Sequence, residues 1–326
     1  MDKYIGIDIA KQTFDVYGPS ISNERRFIKL NHTQKEYKKL IKDFGADKTY
    51  VMEATGPYYM NLACFLFEKG IKVAVVNPLI IKRFSQMNLQ RAKTDKKDAK
   101  TIHDYARYHG VKLWEPPREE IKQMQQILTA LELLNKQHTA TSNQLKAFSA
   151  SGSVDPQIKK TLSSLLLKYK REIKKLETQL ETIIEECFAE TQQLLLSIPG
   201  IGKKAAAVLI AITNNFEKFI HYKQLIAYVG FSPRIYESGT SIKGKGHICK
   251  MGKQQVRKLL YMCAWSAKYH NEGCIDQYKR LKEKGKPERV IKVAIANKLL
   301  KQAFAVVSSK QTYSLNHKSI LSVGCA

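Results

Sequence analysis

Between Tyr4 and Leu30 three short apolar or alternating runs follow one another, YIGIDIA (4–10), QTFDVYG (12–18) and RFIKL (26–30), with only turn or polar residues between them. Runs of that length, rich in Ile, Val, Phe and Tyr, read as sequential strands. The period then changes. From Thr33, TQKEYKKLIKDF sets Tyr37, Leu40, Ile41 and Phe44 at helical spacing, and the Thr33 to Glu36 relation suits a capping box. TYVMEAT (49–55), a helical stretch at 58–69 and KVAVVN (72–77) continue the alternation.

The order β-β-β-α-β-α-β, with more helix behind it, predicts an α/β sheet of ribonuclease-H type, its first strand central and its fourth beside the first. From about Pro116 to Glu190 the pattern becomes long helices, with Ile121, Met124, Ile127, Leu128, Leu131 and Leu134 on one stripe and Leu162 to Ile184 on another. The turn cluster FSASGSVDP (148–156) separates them, giving an antiparallel hairpin or an intermolecular coiled coil. Next, SIPGIGKK (197–204) opens AAAVLIAI; glycine turns between helices resemble a helix-hairpin-helix element that exposes backbone N–H groups to phosphate. The expected domains are therefore 1–112, a helical arm at 113–190, and a mainly helical segment at 191–326.

Charge narrows the partner. The 326 residues carry a net charge of +26, and residues 191–326 hold 23 basic against 6 acidic side chains. Such an excess points to a polyanion, nucleic acid first, bound through phosphate neutralisation. Lys203, Lys204, Lys243, Lys245 and Lys250 are the candidate contacts. The six cysteines show no C-x-x-C pair, so neither a disulfide framework nor a zinc site is expected, and His247, Cys249, Cys263 and His270 read as ordinary positions. No signal peptide or membrane-length apolar run is apparent, which predicts a cytoplasmic protein without a membrane partner.

The carboxylates are less easily dismissed. Asp8 sits among isoleucines in the first strand and Glu53 ends the fourth, so the expected sheet makes them neighbours. Two adjacent acids repel unless something neutralises them, and a divalent cation does so. Asp95 and Asp98, three apart at a helix start in KTDKKDA, project from nearly one face. Asp95 by itself reads as an N-cap. Together the four could hold two Mg²⁺ ions roughly 4 Å apart, an arrangement that stabilises phosphoryl displacement. Lys11 and Asp15 read as supporting the turn and second strand.

The strings GIDIAK, MEATGPYY and KTDKKDA, in this order, resemble the Asp-Glu-Asp-Asp transposases and Piv-type DNA invertases, insertion-sequence recombinases guided by a bridge RNA. VGFSPRIYESGTSIKGKGHICKMGKQQVRKLL (229–260) is similar to that family's second signature, although Phe231, Cys249 and Met251 differ from the residues usual there. The resemblance spans nearly the whole chain. It implies a RuvC-like domain, a coiled-coil arm and a C-terminal transposase domain, with Asp8, Glu53, Asp95 and Asp98 as metal ligands. It further implies that Ser238 attacks DNA, that a non-coding RNA selects the DNA, and that a homodimer or homotetramer acts. By residue type alone Ser232, Tyr236 and Ser241 compete with Ser238.

Three other readings use the same residues. A RuvC-like nuclease or junction resolvase needs the acids and water but no serine. An acetate-kinase or sugar-kinase type ATPase has a phosphate hairpin like GIDIAKQTFDV, but the second, adenosine-binding Gly-rich motif is missing from the sequence. A nonenzymatic DNA-binding protein would keep the acids as structural groups.

Overall fold

The computed structural model describes residues 3–89, 95–234, 237–238, 242–243 and 247–314. The chain divides into two compact units, Met1–Pro116 and Pro117–Ala326.

The first unit contains β1 (Tyr4–Ile9), β2 (Thr13–Pro19), β3 (Arg25–Asn31), α1 (Gln34–Phe44), β4 (Thr49–Glu53), α2 (Tyr59–Glu68), β5 (Val73–Val76), α3 (Pro78–Met87) and α4 (Asp95–His109). The element order follows the alternation of the sequence. Strand order is β3-β2-β1-β4-β5: β1 pairs antiparallel with β2 and parallel with β4, which puts the first strand at the centre. Local chemistry fixes the helix starts. Thr33 accepts from the Glu36 amide at 3.3 Å, Asn77 from the Leu79 amide at 2.9 Å, and Pro78 occupies the first turn where its missing N–H costs nothing.

Helices cover both faces of this sheet. Ile5, Ile7, Ile9, Phe14, Tyr50 and Met52 pack with Tyr37, Leu40 and Phe44 of α1 and Leu62 and Leu66 of α2. On the other face Val51, Ala74 and Val76 meet Ile81 of α3 and Ile102 and Ala106 of α4. A sheet buried on two sides explains why β4 and β5 read as continuous apolar runs.

The second unit begins with α5 (Glu119–Ala150) and α6 (Pro156–Cys187), which pack along each other as a hairpin within the chain. The turn is shorter than the 148–156 cluster suggests, because α5 continues through Ala150. Asp155 starts α6 by accepting from the amides of Gln157 and Ile158 at 2.9 and 3.1 Å. There follow α7 (Ala189–Leu196), α8 (Lys203–Thr213), α9 (Tyr222–Val229), β6 (Pro233–Arg234), β7 (Glu237–Ser238), β8 (Ile242–Lys243), β9 (His247–Ile248), α10 (Gln254–His270), α11 (Glu272–Glu283) and α12 (Glu288–Ser309). One core joins Ile121, Met124 and Leu128 of α5 and Ile184 of α6 to Leu209, Leu260, Ile295 and Leu299. Among the described residues, no helix is long and apolar enough to cross a membrane.

Candidate active site

Register sets Asp8, Asp15 and Glu53 on neighbouring strands of the first unit. Residues of β1 alternate between faces, so Ile5, Ile7 and Ile9 enter the α1/α2 core while Tyr4, Gly6 and Asp8 turn toward α4. Antiparallel pairing sets Asp8 opposite Asp15, and paired residues share a face. On the other side Ile7 pairs with Met52 of the parallel strand, so one further step along both strands sets Asp8 beside Glu53. Glu53 is half-buried, and its Oε1 accepts from Thr55 Oγ1 at 3.2 Å.

A missing side chain lets α4 close over these acids. A Cβ at Gly6 would run into Ala99 O and stand 2.5 Å from His103 N, so only glycine admits the helix this near. Tyr17, the partner of Gly6, meets the buried His103 ring at 5.3 Å. Tyr4 packs against the cluster that includes Ile102 and Ala106 of α4, and Asp95 and Asp98 lie in the first turn of that helix. Asp98 is half-buried; the Asp95 side chain lies outside the described residues.

Asp15 is the acid that sequence reasoning undervalued. It is 3% exposed, on the same face as Asp8, with Lys29 Nζ 3.6 Å from its Oδ2. The signal was available: in QTFDVYG the alternation gives Asp15 and Tyr17 one face and Phe14 and Val16 the other. Among the described residues, no three His, Cys, Asp or Glu side chains gather closely enough to hold a metal ion. Asp8, Glu53 and Asp98 offer only carboxylate oxygens, a donor set that suits a hard divalent ion.

The second signature forms two short ladders. Arg234 pairs with His247 between β6 and β9, and Ser238 pairs with Ile242 between β7 and β8. The side chains of Ser238 and Lys243, and all of Lys245, lie outside the described residues. Backbone bonds from Cys249 N to Ser232 O (2.8 Å) and from Lys250 N to Gly230 O (3.1 Å) fasten the end of this segment to the end of α9. Gly230 (φ 86°) and Gly252 (φ 136°) permit that contact, and Arg257 Nη1 donates to Val229 O at 2.6 Å. Phe231, one of the unusual residues, is 2% exposed and belongs to the core, whereas Met251 and Lys250 are exposed.

The other expected lysines flank α8. Gly200 has φ 103°, and a Cβ on it would come 2.7 Å from the Ala267 Cβ, so this glycine serves a turn and the close approach of α10. Gly202 caps α8 in open space, Lys204 is exposed, and Lys203 reaches Glu181 at 3.5 Å.

Two family models match the chain: one described as a transposase, over residues 5–148, and the transposase IS116/IS110/IS902 family, over residues 192–280. The first match contains all four acids, the second Ser238. The chain is 30% identical over 325 residues to the pilin gene-inverting protein of Moraxella lacunata, covering 95% of this chain and 97% of that one. It is 25% identical over 346 residues to the transposase for insertion sequence element IS1111A of Coxiella burnetii, covering 95% and 91%. Similarity over nearly the full length of both relatives, together with the two matched segments, means that the chain belongs to the IS116/IS110/IS902 family of transposases, enzymes that cut DNA and transfer its strands.

Proposed function

We propose that this transposase moves or inverts an insertion sequence by cutting DNA through a serine-linked intermediate, with Asp8, Glu53, Asp95 and Asp98 as its metal-binding acids and Ser238 as its nucleophile. The observation that carries this reading is the register of β1 with β4 under α4, which sets three of the acid positions at one end of a ribonuclease-H-like sheet. A bound Mg²⁺ pair would supply Lewis-acid stabilisation of the charge that develops on the phosphate.

The chain's own groups have the following parts. Ser238 Oγ forms a bond to phosphorus as one bridging P–O bond of the phosphodiester breaks; the serine proton passes to a nearby base and the departing sugar oxygen takes up a proton. Attack by a sugar hydroxyl on the phosphoserine reverses these steps and joins a new strand. Lys203, Lys204, Lys243, Lys245 and Lys250 neutralise DNA phosphates. In the same reading the domains are a RuvC-like catalytic part (1–112), a coiled-coil arm (113–190) and a transposase part (191–326). The protein acts in the cytoplasm on double-stranded donor and target DNA, as a homodimer or homotetramer, with a non-coding RNA choosing the sites.

The test compares Ser238→Ala, Asp8→Asn and the parent on element-end DNA with Mg²⁺. The expected result is a serine-linked DNA fragment by mass spectrometry in the parent, and loss of cleavage in both variants with the fold retained. Full cleavage by Ser238→Ala without an adduct would instead identify a nuclease that uses water.

A further inference from the structure

The buried stripe of α10 is Val256, Leu260, Ala264 and Ala267, and at about 100° per residue Lys258, Met262, Trp265 and Tyr269 fall on the opposite side. That outward face should be polar in an amphipathic helix. Instead Met262 is 63% exposed, Trp265 47% and Tyr269 66%. The stripe runs about 16 Å at the rise of an α-helix. No acid occurs anywhere in α10.

Trp265 is held in place from beneath. Lys292 Nζ lies 3.1 Å from the indole centroid, and this lysine side chain is 5% exposed, so the ring roofs a buried cation and shows its other side to solvent. Lys268 stands 5.3 Å from Trp265, 4.7 Å from Tyr269 and 5.1 Å from Tyr278. Glu288 binds both lysines, at 3.3 and 3.4 Å, leaving this group one positive charge in excess. An aromatic ring clamped in this way loses little freedom when a second ring stacks on it. At the other end of the stripe, Lys258 and Met262 border a cleft of about 940 Å³ that Lys203 and Lys204 also line.

We propose that the outward face of α10 is a stacking platform for unpaired nucleotides, with bases on Trp265 and Tyr269 and the phosphates between them following Lys258 toward Lys203 and Lys204. The inference rests on the reading of the chain as a nucleic-acid recombinase. Exposed rings on a face that ends in the exposed Lys258 match a single strand, whose base faces are free, and not a duplex, whose base faces are already stacked. The unpaired segment is DNA opened at a cut, the nucleic acid on which this family acts; an RNA loop is the alternative occupant that titration rejects or selects.

The chain has two tryptophans, Trp114 and Trp265, so Trp114→Phe leaves Trp265 as the sole indole reporter. This full-length variant is titrated with an oligothymidylate, an oligouridylate and a duplex, and its fluorescence is followed. Saturable quenching by the oligothymidylate and none by the duplex is expected; quenching by the oligouridylate alone overturns DNA as the occupant. Trp265→Ala, and independently Tyr269→Ala, which leaves Lys292 covered, should weaken single-strand binding about 5- to 100-fold, as loss of one stacked base does. Trp265→Phe should restore most of it, with duplex affinity and melting temperature unchanged. Absence of quenching, or equal losses for duplex and single strand, overturns the platform. So does a change of oligomeric state in the stripe variants without a change in single-strand binding, which would mark an interface between copies. Adding Ser238→Ala to the reporter separates the two proposals: normal quenching without cleavage leaves the platform standing, and cleavage by the parent without quenching sinks only the platform.

Discussion

Gly6→Ala is the most direct test of how the carboxylates are positioned. The new Cβ would stand 2.5 Å from His103 N and 2.8 Å from His103 Cβ, besides its clash with Ala99 O, and neither backbone atom can rotate away. Restoring ordinary carbon contact requires α4 to retreat by about 1 Å. Overpacking of this kind costs about 1–3 kcal/mol. For a unit of this size that corresponds to a melting temperature roughly 4–12 °C lower. The same displacement moves Asp95 and Asp98 away from Asp8, and a 1 Å misplacement of reacting groups costs about 100-fold in rate. The assay is a thermal melt by circular dichroism alongside DNA cleavage with Mg²⁺. Gly202→Ala is the control, since a Cβ there meets nothing within 4 Å. A Gly6→Ala protein that melts and cleaves like its parent would refute the argument that this glycine sets the distance between β1 and α4.

Burial pushes the Cys274 thiol up to about 12 from an ordinary 9.0, with Lys298 opposing. Between about pH 9 and 12 the unfolded chain releases this proton and the fold keeps it, so stability falls as pH rises, by at most about 1.4 kcal/mol per unit. Urea melts across that range should show a shallower decline for Cys274→Ala, and a thiol reagent at pH 8 should label the exposed Cys187 well before Cys274. Asn271 is fully buried, with Nδ2 donating to Gln302 Oε1 at 3.0 Å and Oδ1 accepting from Tyr313 OH at 3.1 Å. Asn271→Ala should destabilise the second unit by about 1–3 kcal/mol, and denaturant midpoints measure it. Phe231→Ala should cost about 3–5 kcal/mol in the same assay, because that ring fills the core.

The first unit was legible because its elements are short and each carries a local signal. Short apolar or alternating runs gave β1 to β3, helical spacing and the Thr33 cap gave α1, and the apolar run TYVMEAT gave β4. The role of Gly6 was hidden, since it comes from a helix more than ninety residues later in the chain. The face of Asp15 could be read from the alternation of QTFDVYG, but its pairing with Asp8 could not, because register is set between strands. The ladders at 233–248 were missed because two-residue strands set no periodicity. The stripe on α10 escaped notice because Met262, Trp265 and Tyr269 recur at the spacing of core residues, and only the burial of the opposite side shows that they face outward.

The chain concentrates acids at one sheet end while carrying a net charge of +26, and these two facts constrain each other. Asp15, nearly inaccessible, is accompanied by Lys29 at 3.6 Å; a second carboxylate in register with it, and a third one strand over, add repulsion that grows with burial. Phosphate brought to the same place increases that repulsion. On the proposed reading, the cation and the DNA therefore depend on one another: each lowers the electrostatic cost of the other, and linkage requires that metal affinity rise with bound DNA by the factor by which DNA affinity rises with metal. Basic residues elsewhere cannot replace the ion, because exposed charges beyond about 8 Å are screened. Ile5, Ile7 and Ile9 contribute from the opposite face, since packing them against α1 and α2 fixes the strand whose register spaces the acids. On the proposed reading Asp8 and Glu53, mounted on paired strands, keep their spacing when substrate arrives, which residues mounted on loops would not.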